Sequence, residues 1–110
     1  SAYKYVVIRY KIVSGIGGQS EIYFYKGNLA LAEDKVVRGN LISDNNWHIL
    51  NIDMTASGNW NNDGGNIKGW RFDYSTGKSV NMLIDYITLT DRAVLENKND
   101  DDSKISVAPI

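Results

Sequence analysis

The sequence predicts an all-β domain, an antiparallel sandwich or barrel. Six stretches rich in β-branched and aromatic residues recur at spacings of about ten to fifteen residues. Several alternate apolar and polar residues with a period of two, which leaves one polar face and favours antiparallel sheets. Between them lie clusters of Gly, Asn, Asp and Ser, and no stretch combines the length and periodicity of a stable helix.

The first expected strand, residues 3–13 (YKYVVIRYKIV), contains neither Gly nor Pro. Alternation puts Lys4, Val6, Ile8, Tyr10 and Ile12 on its core face. Tyr3, Tyr5, Val7, Arg9, Lys11 and Val13 share the other. SGIGGQS, residues 14–20, is a turn with three glycines. EIYFY, residues 21–25, is the second strand, with Ile22 and Phe24 inward and Glu21, Tyr23 and Tyr25 outward. Residues 26–34 read as a loop with a turn of helix at LALAE, because Gly27 and Asn28 precede a run too short to hold a helix alone.

Residues 35–42 form the third expected strand, and Ser43–Asn46 a turn. In the fourth, residues 47–54, His48, Leu50, Ile52 and Met54 alternate with Trp47, Ile49, Asn51 and Asp53. Residues 55–66 are a long polar loop. The fifth strand, residues 67–74, places Trp70, Phe72 and Tyr74 on one face and Arg71 and Asp73 on the other. An Arg and an Asp do not sit unpaired in an apolar core. Either they form a buried pair or theirs is the wet face; the wet option is preferred, and it puts Trp70 in the core. The sixth strand, residues 79–90, alternates Val80, Met82, Ile84, Tyr86 and Thr88 with Asn81, Leu83, Asp85, Ile87 and Leu89. Asp85 lies between apolar residues and needs a cation, with Arg9 and Arg71 as candidates. Residues 1–92 are therefore read as the sandwich, and 93–110 as an acidic polar linker or tail with room for one short terminal strand.

At 110 residues the chain is one domain, able to bury roughly 65% of its unfolded surface. The net charge of −1 leaves no basic footprint, so nucleic acid is not an expected partner. No apolar run approaches the length of about 18 residues that spans a bilayer, so no membrane insertion is expected. The absence of cysteine excludes disulfides, thiolate metal sites and cysteine nucleophiles. Tyr and Trp together number ten against two Phe, a balance that suits half-exposed surfaces and polar ligands. The chain lacks an initiator Met and starts almost inside a strand, so we expect a piece of a longer polypeptide.

Four segments occur in a telling order: YVVIRYKIVSG, WHILNIDM, NW…GGNIKGWRFDY and MLIDYITL. Over about residues 5–90 this pattern resembles bacterial jelly-roll domains of the galactose-binding-like superfamily, many of which are carbohydrate-binding modules. The resemblance implies a jelly-roll sandwich and a glycan ligand. It also implies that a tryptophan at the place of Trp60 often packs inward. Such domains usually carry further strands before the R-Y-K strand. Six strands are fewer than the eight of a jelly roll, so completion by the tail or by another chain, or a shortened variant, is expected. Many relatives hold a structural calcium partly through an early acidic residue, and that early segment is not in this sequence.

The candidate site residues are Trp60, Asn61, Asn62, Asp63, Asn66, Tyr23 and Tyr25. Trp60 stands in a Gly/Asn/Asp loop with few sequence neighbours to bury it. Its indole face either stacks on a sugar ring or folds back to plug the end of the sandwich. The Asn and Asp side chains offer donors and acceptors for sugar hydroxyls, although the same residues are ordinary turn formers. They lack the spaced pattern of a calcium loop, so no cofactor is expected. His48 reads as a packed strand residue. Glycosidases need two carboxylates about 5–9.5 Å apart in a cleft, which a domain this small rarely forms, so no catalysis is expected. The reading is a non-catalytic glycan- or polysaccharide-binding module of a larger secreted, cell-surface or phage protein, working outside the cell or on a virion. The alternative is a structural or oligomerisation module that associates with copies of itself.

Overall fold

Strand β1 (Tyr5–Ser14) is an uninterrupted run of β-formers and becomes the centre of the molecule. It pairs antiparallel with β4 (Trp47–Asp53) on one side and β6 (Asn81–Thr90) on the other. A second sheet has β2 (Gln19–Tyr25) at its centre, flanked by β3 (Val36–Asn40) and β5 (Gly69–Asp73). The strand orders are β4-β1-β6 and β3-β2-β5. The two sheets make an all-β antiparallel sandwich, as the sequence predicts. A short hairpin, β7 (Val94–Glu96) with β8 (Ile105–Val107), follows. This computed structural model describes residues 3–25, 35–60, 67–96 and 105–107. The expected helical turn at LALAE lies outside those residues.

Alternation builds the core. Val6, Ile8, Tyr10 and Ile12 of β1 meet Ile22 and Phe24 of β2, with Ile52, Met54 and Trp60 in the same cluster. Position 39 decides how closely β3 approaches β4. A Cβ on Gly39 would lie 2.9 Å from the methyl carbons of Leu50, so only a residue without a side chain fits there unshifted. The turn after β5 is tied to the glycine turn after β1. Thr76 N–H donates to Gln19 O (2.9 Å), Gln19 N–H donates to the Thr76 hydroxyl (2.9 Å), and Gly77 N–H donates to Gly17 O (3.2 Å). Ser20, fully buried, donates its hydroxyl to Tyr74 O at 2.6 Å.

Three departures from simple alternation matter. First, β1 is buried on both faces, because Val7 is fully covered and Arg9 is only 6% exposed. The tail is fastened to the same outer side of the sheet. The Asn51 side chain donates to Val94 O (2.8 Å) and accepts from Val94 N–H (2.7 Å), which pins β7 across the outside of the β4-β1-β6 sheet. Second, β6 carries a bulge. Arg9 pairs with Tyr86 but Tyr10 pairs with Ile84, so Asp85 is the extra residue. Beyond the bulge the faces exchange: Met82, Ile84, Ile87 and Leu89 lie opposite inward residues of β1, while Tyr86 and Thr88 turn outward. A strict period of two groups Ile87 and Leu89 with Asn81, Leu83 and Asp85, on the face opposite to Met82 and Ile84.

Third, one side of the sandwich is thinly covered. β3 packs against β4, so the shared strand order brings β5 to the side of β6. Trp70 lies opposite Phe24 and therefore on the inward face, yet it is 37% exposed. Ile84 and Ile87 are 40% and 41% exposed although their β1 partners are core residues. Phe72, Met82 and Leu89 pack against the core from the same strands.

Asn51→Ala removes both bonds to Val94 and leaves a backbone pair to find water. We expect a loss of about 1–3 kcal/mol and faster amide hydrogen exchange at Val94. Unchanged protection there would show that packing alone holds β7.

Candidate functional site

The strand alternation that buries Ser20, Ile22 and Phe24 turns Gln19, Glu21, Tyr23 and Tyr25 outward on β2. Cross-strand register then decides their neighbours. Arg38 and Asp73 flank Glu21, Val36 and Arg71 flank Tyr23, and Gly69 lies beside Tyr25. The outer face of β3-β2-β5 is thus a row of tyrosines between arginine–carboxylate pairs.

The polar groups on this face hold one another. The Arg38 Nε–H donates to Glu21 Oε2 at 2.5 Å, and a guanidinium nitrogen reaches the Tyr23 hydroxyl at 3.4 Å. Arg71 grips Asp73 with two hydrogen bonds, of 2.9 and 2.7 Å. Its guanidinium carbon stands 4.6 Å from the Tyr23 ring centre, a cation–π contact. The bond to Asp73 raises the Arg71 pKa further. The Gln19 side-chain N–H donates to Asn40 Oδ1 at 3.0 Å. A Cβ at Gly69 would stand 3.3 Å from the Tyr25 ring, so that ring lies over the bare glycine backbone. Each pair lies at the surface, wholly or partly exposed, and adds little stability. What the pairs supply is orientation: planar donors and acceptors arrayed beside aromatic rings. Arg71 and Asp73 are on the wet face, as their spacing suggested, and Phe72 behind them packs on the core.

Trp60 is elsewhere. It is 3% exposed and sits in the core, edge-on to Phe24 with centroids 5.2 Å apart and planes at 89°. Its indole N–H donates to Tyr3 O at 2.9 Å. This corrects the stacking role considered for Trp60. Of the two readings of that residue, the inward plug is the one present, since the ring has no free face for a sugar. The cause is non-local: Phe24 and the Tyr3 carbonyl are distant in sequence and meet Trp60 only once the sheets are stacked. Asn61, Asn62, Asp63 and Asn66 lie outside the described residues. Among the seven candidates, the geometry brings together Tyr23 and Tyr25.

The opposite outer face, on β4-β1-β6, is organised around Arg9. Its guanidinium lies 4.5 Å from the Trp47 ring centre and donates to Asp85 Oδ2 at 3.1 Å. Lys11 stands 5.3 Å from the same ring. Arg9 is thus the partner that Asp85 required. The beneficiary of the pairing is Arg9, since it is the buried member and Asp85 is half exposed. The Tyr86 hydroxyl nearby is buried with no hydrogen-bond partner among the described residues, and burial raises its pKa. His48 packs against Tyr10 (5.9 Å between ring centres), and its Nε2 is 2.7 Å from Asp44 Oδ1. That hydrogen bond holds the Asp44 carboxyl below its ordinary value of 3.8. Among the described residues no group of three or more His, Asp or Glu is placed to hold a metal ion.

Comparison with known proteins adds no relative: no protein-family model, curated protein or solved structure matches the chain significantly.

Trp60→Ala removes a buried ring and its N–H bond. We expect a loss of about 3–5 kcal/mol in chemical denaturation. A loss below about 0.5 kcal/mol, typical of an exposed position, would return Trp60 to the surface.

Proposed function

We propose that the chain is a non-catalytic carbohydrate-binding module of a larger secreted, cell-surface or phage protein. Its glycan docks on the outer face of β3-β2-β5, which carries Tyr23 and Tyr25. The observation behind this reading is the row of two outward tyrosines bracketed by Arg38–Glu21 and Arg71–Asp73. Tyrosine rings pack against the C–H faces of a sugar, and fixed guanidinium and carboxylate groups match vicinal hydroxyls. The face is an open sheet surface, which suits an extended polysaccharide. The resemblance to galactose-binding-like jelly-roll domains points the same way.

A second reading has its own support. Trp60 is spent on the core, and Trp70, Ile84 and Ile87 are incompletely covered on inward-facing positions of β5 and β6. Both fit a structural or oligomerisation module, completed by another segment or copy.

A glycan array, followed by titration of the best ligand, tests the first reading. One shallow site of this kind binds with a Kd on the order of 0.1–1 mM. Tyr23→Ala and Tyr25→Ala are expected to weaken it more than about tenfold, a step of about 1.4 kcal/mol, without unfolding the domain. Absence of binding across a broad array, or full binding by both variants, would refute it.

A further inference from the structure

We propose that two copies of this chain join edge to edge through β6, forming one continuous six-stranded sheet across a two-fold axis. The inference gives the second reading a defined partner and does not depend on glycan binding.

The argument starts from the bulge at Asp85. The inward residues of β6 are Met82, Ile84, Ile87 and Leu89, as their β1 partners Ile12, Tyr10, Ile8 and Val6 show. These positions are symmetric about the Asp85–Tyr86 bond, because the bulge reverses the alternation at the strand's midpoint. Let β6 pair antiparallel with its own copy over its full length, Asn81–Thr90. Met82 then lies opposite Leu89, Ile84 opposite Ile87, Leu83 opposite Thr88, and Asp85 opposite Tyr86. Directly opposed residues in an antiparallel pair share a face. Every inward apolar residue therefore meets an inward apolar residue, and every outward residue meets an outward one. Self-complementarity of this sort is what an isologous contact requires. An unbulged strand of ten residues would set inward positions against outward ones in the same full-length pairing.

The edge itself is open to such a partner. Among the described residues β1 is the only strand that β6 pairs with, so its other edge is left for another strand. Edge strands are commonly blunted by Lys, Pro or a bulge; β6 contains no Lys or Pro, and its bulge is the feature that makes the self-pairing register symmetric. Its one charge, Asp85, is held by Arg9, so each carboxylate near the axis has its own cation. Of the inward residues of β6, Ile84 and Ile87 are left 40% and 41% exposed in the monomer. In the second layer the two β5 edges face each other across the same axis, with Trp70 of each copy beside the shared apolar layer. Because the axis runs through the sheets, both Tyr23/Tyr25 faces point the same way. If the glycan reading holds, that makes the pair bivalent and raises its avidity.

Sedimentation equilibrium of the 12.3 kDa chain, from about 1 µM to about 1 mM, tests the proposal. Wild type is expected to approach twice the monomer mass. Ile84→Lys and Ile87→Lys are expected to raise the dissociation constant more than about tenfold while keeping the β-sheet circular dichroism spectrum. The chain has no native cysteine, so a second measurement is clean. The double variant Ile84→Cys/Ile87→Cys is expected to form a disulfide-linked dimer on mild oxidation, much faster than the exposed control Ile42→Cys. A monomeric wild type throughout that range overturns the proposal. So does a dimer indifferent to both lysine substitutions, or cross-linking no faster than the control. Glycan titration of Ile87→Lys reads the binding face separately, so the two readings fail independently.

Discussion

Strand β1 lies between β4 and β6 and is buried on both faces, with the second sheet on the inward side and Trp47 over Arg9 on the outward side. A strand with only one wet face needs half its residues apolar. This one must also make Val7 and Arg9 tolerable in near-complete burial. For Val7 a neighbouring apolar layer suffices. For Arg9 burial is costly unless the charge is compensated, and Asp85 and the Trp47 ring together do so. The position of Trp47 on β4 and the bulge that presents Asp85 from β6 both serve the covering of this strand. With only three strands per sheet, the central strand carries most of the core. The edges carry little of it.

That division explains where the polar aromatics go. Tyr10 and Trp60 are consumed by the interior, and each settles its polar atom on backbone: the Tyr10 hydroxyl accepts from Ile42 N–H at 2.8 Å, and the Trp60 N–H donates to Tyr3 O. Tyr23 and Tyr25 are left on the wet side of β2, with arginine–carboxylate pairs around them. A binding surface of this type is shaped by side-chain planes on a rigid sheet, with no pocket required. Rigidity is the point, since side chains already fixed by their neighbours lose less freedom when a ligand arrives.

The bulge at Asp85 links stability to association. Its local role is to deliver a carboxylate to Arg9. Its wider effect is to reverse the inward and outward sequence of β6 at the strand's centre. A strand made to serve a buried arginine thereby acquires an apolar pattern that reads alike in both directions. The incompletely covered residues at Ile84, Ile87 and Trp70 fall on the side where that pattern is displayed.

Sequence alone determined the strands and most of their faces. The six stretches of β-formers, the core face of β1, the inward Ile22 and Phe24, and the wet face of Arg71 and Asp73 all follow from local alternation and the cost of unpaired charge. Tyr23 and Tyr25 were legible as outward for the same reason. Tertiary structure decided what depends on residues far apart in the chain. Trp60 looked exposed because its loop is polar, but burial is set by Phe24 and Tyr3 across the stacked sheets. Val7 and Arg9 looked half wet, but the folded chain buries both, Arg9 beneath Trp47 and against Asp85. Strict alternation groups Ile87 and Leu89 with Asn81, Leu83 and Asp85, yet they share the inward face with Met82 and Ile84, because a bulge is a relation between two strands, Arg9–Tyr10 against Ile84–Tyr86.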